Sequence, residues 1–484
     1  MSDSRLWTHE KSQQGENWMS ETEKQAEDPA NEGTWISPDI FEADLKPRGW
    51  KDDPELRAGV DWLLSFVPAD EWKRRRFAAL RHFVDAVSGN SADSSGKGRF
   101  FNDRDRFAWY LFLGQAVLDH PIIYDYMYGS RVVPVLTAIG RNLELLKGVT
   151  GIDARVRRMV GPEKSQPNAC LFELLVAAAY CRQRAQVTFL EERPGVAKTH
   201  DMDVALNGTN WAVECKRLEG GEYSEAERVR ARELWLPVAH ELHERGLNVL
   251  CTVEFLVELS AVPREYVAQK TVEWMRTGGL FAYSWSDSIS VGRVERLNLK
   301  PLQKVLRTDD VAMNSSRMHE LLTGRYKRNA HIITTLHVQH ADNPVYVKEC
   351  DAGCVFDWDS KSEAAIDKRA RDVFKRVAEG CRQLPDGRPG IVHIGFEAVD
   401  GDDVERKRYD KVLQSLKDFD PEGKSLEYVY VTWLAPESPP DTLLAFDETC
   451  HHQAIRPQRI RPLPNGFLVL PSDLSTRPGG HWQL

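Results

Sequence analysis

Acidic and basic side chains crowd two short segments, His200-Asp201-Met202-Asp203 and Val213-Glu214-Cys215-Lys216. Both segments read as β-strands, in which alternate residues share a face. On the second, Trp211, Val213 and Cys215 form an apolar face, while Glu214 and Lys216 share the opposite one. On the first, Met202, Val204 and Leu206 are the apolar set, and Asp201 and Asp203 take the other side. Asn207-Gly208 between them is a strong hairpin signal, because both residues tolerate positive φ. Pairing the strands would bring two or three carboxylates and one ammonium to one side of a sheet. That set suits phosphodiester hydrolysis. Carboxylate oxygens hold Mg²⁺, which polarises a phosphoryl oxygen and lowers the pKa of a bound water. A neighbouring lysine orients or deprotonates that water and offsets charge on phosphorus. The plain alternative is a solvated sheet face with cross-strand charge pairs worth roughly 0.2–1 kcal/mol each.

Glu173 is the third feature. It is the only charged residue between Lys164 and Arg182, inside Leu171-Phe172-Glu173-Leu174-Leu175-Val176-Ala177-Ala178-Ala179-Tyr180. A carboxylate in so apolar a helix is costly to bury unless something pairs with it. A metal, its water or Lys216 would do; an arginine such as Arg182 would serve a purely structural role. His200, beside the cluster, reads as a wall residue.

The elements needed to position these groups are legible as patterns. Residues 36–150 read as a helical domain, with apolar three- and four-residue steps over 55–66, 70–87, 103–118 and 133–146 and a Ser/Gly-rich loop at 88–98. Asn168 can cap a helix running to about residue 184. Strands follow at 187–190, 199–206 and 210–217. Ser224-Glu225-Ala226-Glu227 reads as a capping box opening a helix that Gly246 ends. Further strands are expected at 248–257, 331–338, 391–396 and 426–434, and an amphipathic helix at 363–384 with Ala370, Phe374, Val377 and Cys381 on one face. Residues 260–330 are set aside as an insertion in a domain spanning 151–435. Residues 1–35 read as a disordered acidic tail and 436–484 as a turn-rich tail. The order implies an α/β fold, a mixed sheet flanked by helices.

Taken together, Glu173, the run Thr199-His200-Asp201-Met202-Asp203-Val204-Ala205-Leu206-Asn207-Gly208 and the run Trp211-Ala212-Val213-Glu214-Cys215-Lys216-Arg217 resemble the PD-(D/E)xK nuclease superfamily, over about 50 residues. The resemblance implies a restriction-endonuclease-like αβββαβ core, completed by the helix and strand after the hairpin and by residues within 331–434. Glu173 matches the first-helix glutamate, and Glu214 and Lys216 match the E-x-K. Asp201 lies 13 residues before Glu214, the spacing of the family's motif aspartate, with Asp203 as second choice; His200 stands where members usually have proline. The resemblance further implies that Asp201 and Glu214 bind Mg²⁺ with the backbone carbonyl of Cys215, and that Mn²⁺ substitutes. Lys216 would position the attacking water, and Glu173 would act through water or a second metal.

Composition narrows the setting. The chain has 484 residues, 42% hydrophobic and 28% charged, and no apolar run approaches the roughly 18 residues of a membrane helix. A cytoplasmic protein is the expectation. The eight cysteines read as reduced thiols, and Cys350, Cys354 and Cys450-His451-His452 match no standard zinc spacing. The net charge is −9, but residues 1–55 hold 14 Asp/Glu against 6 Lys/Arg, so the rest is nearly neutral. Arg228, Arg230 and Arg232, and Arg325, Lys327 and Arg328 around Tyr326, are candidate phosphate contacts; solvated faces are the alternative. The expected function is Mg²⁺-dependent endonucleolytic cleavage of DNA, in phage defence, restriction or repair, with a homodimer or partner protein open. The alternatives are a non-cleaving nucleic-acid-binding or assembly module of this fold, and an RNA-cleaving nuclease.

Overall fold

The Asn207-Gly208 turn forms as its residues require, with φ of +50° and +76°, and it sets the register of the hairpin. Strands β2 (Met202–Leu206) and β3 (Thr209–Leu218) pair antiparallel with Met202 opposite Val213 and Val204 opposite Trp211. The computed structural model describes residues 37–43, 46, 51–88, 100–191, 199–371, 373–471, 473, 474 and 476–483. The acidic tail at 1–35 and the loop at 89–98 lie outside the described residues.

Ahead of the hairpin come helices α1 (Pro54–Leu64), α2 (Ala69–Val87), α3 (Arg106–Asp119), α4 (Tyr126–Arg141), α5 (Leu143–Lys147), α6 (Ile152–Val160) and α7 (Asn168–Arg182), then strand β1 (Gln186–Phe189). Asp53 starts α1 by accepting from the Glu55 and Leu56 amides. The fourth helix begins seven residues earlier than its periodicity predicts and carries Pro134 inside it. Asn168 opens α7 without capping it; its side chain instead bonds Tyr110 and Glu219. These helices share one continuous apolar core with a face of the first sheet, through residues such as Leu136, Leu174, Val204 and Val213.

Helices α1 and α4 meet backbone to backbone. A Cβ on Gly140 would lie 1.7 Å from the Glu55 carbonyl oxygen, and one on Gly59 would lie 2.3 Å from that of Leu136. Gly140→Ala is therefore expected to lower unfolding free energy by about 1–3 kcal/mol, since overpacking here must move main chain. Urea unfolding with an unchanged m-value would check this.

The described residues build two mixed sheets. The first has the order β1-β2-β3-β10-β11-β12, with β10 (Gly390–Glu397) parallel to both β3 and β11 (Leu426–Glu437), and β12 (Ala445–Ala454) at the edge. Helices α13 (Phe374–Gln383) and α14 (Asp402–Lys417) pack on the face opposite α7, through Val377, Val392, Val412 and Trp433. Between β3 and α13 the chain forms helix α8 (Glu222–Glu244) and a second sheet. That sheet holds β4 (Val249–Phe255), β5 (Tyr283–Ser286), β6 (Ser290–Arg296), β7 (Val311–Ala312), β8 (His331–His340) and β9 (Tyr346–Ser360), with α9 (Tyr266–Arg276), α10 (Lys300–Val305), α11 (Ser316–Thr323) and α12 (Glu363–Arg369).

Several expectations are corrected by this topology. The strand expected beside β3 in sequence order, β4, pairs with β6 and β9 in the second sheet, as β8 does with β9. The strand beside β3 is β10, so the inserted segment runs well beyond 260–330. The helix expected over 363–384 is two helices, and Phe374 is exposed while Ala370, Val377 and Cys381 are buried. The capping box does not form: Gly221 precedes the first turn of α8, Ser224 donates to Asp400, and Glu227 pairs with Arg369. The turn-rich tail contains β12 (Ala445–Ala454), antiparallel to β11.

Candidate active site

Helix α7 lays its apolar length under the first sheet, so Glu173 is carried into the core at 7% exposure. Just before β2, Asp201 accepts the Cys215 amide through Oδ2 at 2.7 Å. In an extended strand a residue's N–H and C=O face the same edge, so the Cys215 carbonyl looks toward the Asp201 edge of β3. Glu214, on β3, is 1% exposed, and its Oε1 forms an ion pair with Lys216. Carboxylates from three parts of the chain are thus brought into each other's field, with one ammonium beside Glu214.

Their mutual repulsion is visible in proton affinity. Burial, then the charge of Asp201, push Glu173 well above the carboxylate range, against the pull of Arg155. Burial and Asp201 likewise raise Glu214 to about 8, opposed by Lys216. Glu214 Oε2 is buried with no hydrogen-bond partner. An orphaned carboxylate oxygen among crowded carboxylates is what a hard divalent cation would satisfy. Among the described residues, no group of three or more His, Cys, Asp or Glu side chains is set to hold a metal ion. Mg²⁺ commonly takes only one or two carboxylates, completing its shell with water and phosphate, and Asp201 with Glu214 fits that smaller set.

Asp203 does not join the cluster. Its Oδ1 accepts from Arg388 at 2.7 Å and meets His200 Nε2 at 2.6 Å. Burial pushes its pKa up, but Arg388 and His200 outweigh burial and hold it below the ordinary range. The two aspartates take different partners: Asp201 turns to the Cys215 amide and Arg155, Asp203 to Arg388 and His200. His200 is a buried wall residue.

Two further groups complete the site. Arg155, on α6, ion-pairs with Glu173 and donates to Asp201 Oδ1 at 2.9 Å. Arg182, the arginine considered from sequence, instead donates to the Phe467 carbonyl. The helical phase of Ile152, Arg155, Val156 and Met159, all buried, is the signal that marks Arg155 as an inward-facing cation. Gln383 ends α13 above the E-x-K. With its amide oxygen toward Lys216 it accepts from Nζ at 2.8 Å, and its nitrogen reaches Glu214 Oε1 at 3.1 Å and the Thr199 carbonyl at 3.3 Å. Gly380 lets α13 come this close: a Cβ there would lie 3.2 Å from Glu214 Cγ. Outward from this point, Lys216, Arg376, Glu379, Arg382 and Gln383 line an open depression.

The two basic runs meet elsewhere. A cavity of about 400 Å³ at the ends of β3, β10 and β11 brings together Arg228, Arg232, Arg325, Tyr326 and Lys327. Many of its charges are already matched: Arg228 with Glu225, Arg325 with Asp357, Lys327 with Asp359, and the Tyr326 hydroxyl with Glu437. Arg230 bonds the Leu259 and Val262 carbonyls, and Arg328 pairs with Asp402. All eight cysteines are free thiols. Cys350 and Cys354 lie in β9, on a different sheet from Cys450, His451 and His452 in β12. Among the described residues no helix is long and apolar enough to cross a membrane.

No protein-family model matches the chain, and no curated protein or solved structure matches it. The functional reading therefore rests on the site itself.

Proposed function

We propose that this chain is a metal-dependent nuclease of the restriction-endonuclease-like type, acting on DNA phosphodiester bonds. The observation that carries the reading is a chain of contacts: Arg155 joins Glu173 to Asp201, Asp201 accepts the amide of Cys215 next to Glu214, and Lys216, paired with Glu214, leads to a depression in which three of five lining side chains are cationic. The order of the surrounding elements supports it: helix α7, three antiparallel strands, helix α13, and β10 parallel to β3 is the αβββαβ sequence, interrupted by the second sheet.

Asp201 and Glu214 would hold Mg²⁺ or Mn²⁺, with the Cys215 carbonyl on the same edge. A bound divalent ion would polarise the phosphoryl oxygen and acidify a water at the site. Lys216 is held between Glu214 and Gln383, so its ammonium is oriented before substrate arrives; it positions the attacking water and offsets charge building on the phosphate oxygens. Arg376 and Arg382 border the approach and suit a phosphate backbone, whose contacts position the strand without reading its sequence.

The test is nicking or linearisation of supercoiled plasmid by the purified chain with Mg²⁺ or Mn²⁺, and its loss with EDTA. Asp201→Asn is expected to reduce cutting by at least about 100-fold, the scale of one lost transition-state contact. Asp203→Asn, which removes a partner of Arg388 instead, is expected to stay within about tenfold of wild type. Loss with only the Asp203 variant would show the site to be wrongly drawn. Cutting of single-stranded RNA alone would select the RNA reading, and binding without cutting under varied metals would select the non-cleaving module.

A further inference from the structure

Arg155 reaches the carboxylates from α6, a helix that carries none of them. Its side chain is 6% exposed. It is held on three sides: Nε ion-pairs with Glu173, Nη2 donates to Asp201 Oδ1, and the guanidinium carbon lies 5.7 Å from the centre of the Phe189 ring. A planar, permanently charged fork is suited to bridging two carboxylates on different elements, and burial makes its removal costly.

The oxygens of the cluster divide accordingly. Glu173 is engaged by Arg155, and Asp201 gives Oδ1 to Arg155 while Oδ2 turns toward the Cys215 amide, beside Glu214. Two buried oxygens of the cluster have no hydrogen bond, Glu173 Oε2 and Glu214 Oε2; the first is met by the Arg155 ion pair, and the second faces the carboxylates without one. We infer that Arg155 takes the place of a second cation, so that the site binds a single divalent ion through Asp201 and Glu214, with Glu173 anchoring Arg155 and not serving as a ligand. The inference rests on the metal-site reading above and revises the role expected of Glu173. Without the guanidinium, Glu173 and Asp201 would be adjacent buried carboxylates, a pair that favours a second ion. With it, a second ion would meet a fixed positive charge at close range.

Mn²⁺ binding to the full chain, followed by the electron-spin resonance of free Mn²⁺ and by calorimetry, tests this without any cleavage readout. Wild type is expected to bind one ion per chain, R155Q two, and E173Q one, weakened by no more than about 10- to 100-fold, the scale for losing a group that orients a ligand at one remove. Two ions on wild type, one on folded R155Q, or loss of the ion in E173Q would overturn the inference while leaving a metal site in place. No Mn²⁺ binding by wild type, or binding unchanged in E214Q, would instead remove the metal-site reading and the inference with it. If R155Q does not fold, as judged by circular dichroism, the E173Q arm still decides: that variant keeps Arg155 on Asp201 and replaces Glu173 by a neutral group of the same shape.

Discussion

Lys216→Ala is expected to lower metal-dependent plasmid cleavage by about 10²- to 10³-fold while the protein stays folded. Lys216 lies at the edge of the carboxylate cluster, with 21% of its side chain exposed, so truncation opens no core cavity. What is lost is a positive charge fixed between Glu214 and Gln383 and facing the depression where a phosphate would approach. In a water-poor site a preoriented ammonium costs no reorganisation as charge develops, which is why its removal should fall on kcat more than on KM. Lys216→Arg should recover little, because a planar fork cannot occupy the position of a compact ammonium held on two sides. Glu214→Gln should abolish cleavage and also weaken Mn²⁺ binding, whereas Lys216→Ala should leave one Mn²⁺ bound. Wild-type cutting rates in both variants would place the activity elsewhere or in a contaminant.

The largest expected effect on stability lies far from that site. Glu448, on β12, is 4% exposed and accepts three successive backbone amides: Leu468 at 2.7 Å, Val469 at 3.0 Å and Leu470 at 2.9 Å. It ties the segment after β12 to the edge of the first sheet. Glu448→Ala strands two buried N–H groups and a half-buried third, and is expected to cost roughly 3–5 kcal/mol, as each unsatisfied donor carries a penalty of about 1–3 kcal/mol. Glu448→Gln keeps an acceptor oxygen and should cost less. Burial outweighs those hydrogen bonds and raises the Glu448 pKa from 4.5 to about 7. The folded state therefore holds a proton that the unfolded chain releases near pH 4.5. This contribution to stability is fully present below about 4.5 and is lost as pH rises through about 7. Urea unfolding across that range should show a fall in wild type that is smaller in Glu448→Gln. A Glu448→Ala variant as stable as wild type would mean that the segment is held by other contacts.

How much of this could be read from the chain depends on the range of the interaction involved. The hairpin is local: Asn207 and Gly208 accept positive φ, and period-two alternation then places Trp211 and Val213 inward and Glu214 and Lys216 on the other face. Glu173 is legible for a related reason, since a lone charge in an apolar helix demands a partner whatever the fold. The identity of that partner was not legible. Arg155 lies 18 residues earlier in the chain, and the pattern points instead to Arg182 at the end of the same helix.

Sheet membership shows the same limit. The runs at 249–255 and 331–340 are strands as their patterns predict, yet both pair in the second sheet, while β10, reached only after the inserted segment, supplies the neighbour of β3. The polar start of β9, Val347-Lys348-Glu349-Cys350-Asp351, hides a strand of 15 residues that pairs on both sides. Ser224 has the signature of a helix cap and bonds Asp400 instead, a residue 176 positions away.

The strand pair with its Asn-Gly turn, the alternation that puts Glu214 and Lys216 together, and the demand that Glu173 be paired are therefore properties of the sequence alone. They are settled by φ preferences, side-chain period and the cost of burying charge, all of which act within a few residues. Tertiary structure decided which aspartate meets Glu214, that Arg155 stands between Glu173 and Asp201, that Gln383 holds Lys216, and which strands share a sheet. Those outcomes depend on contacts between distant segments, where many pairings satisfy the same local pattern and only packing of the whole chain selects one.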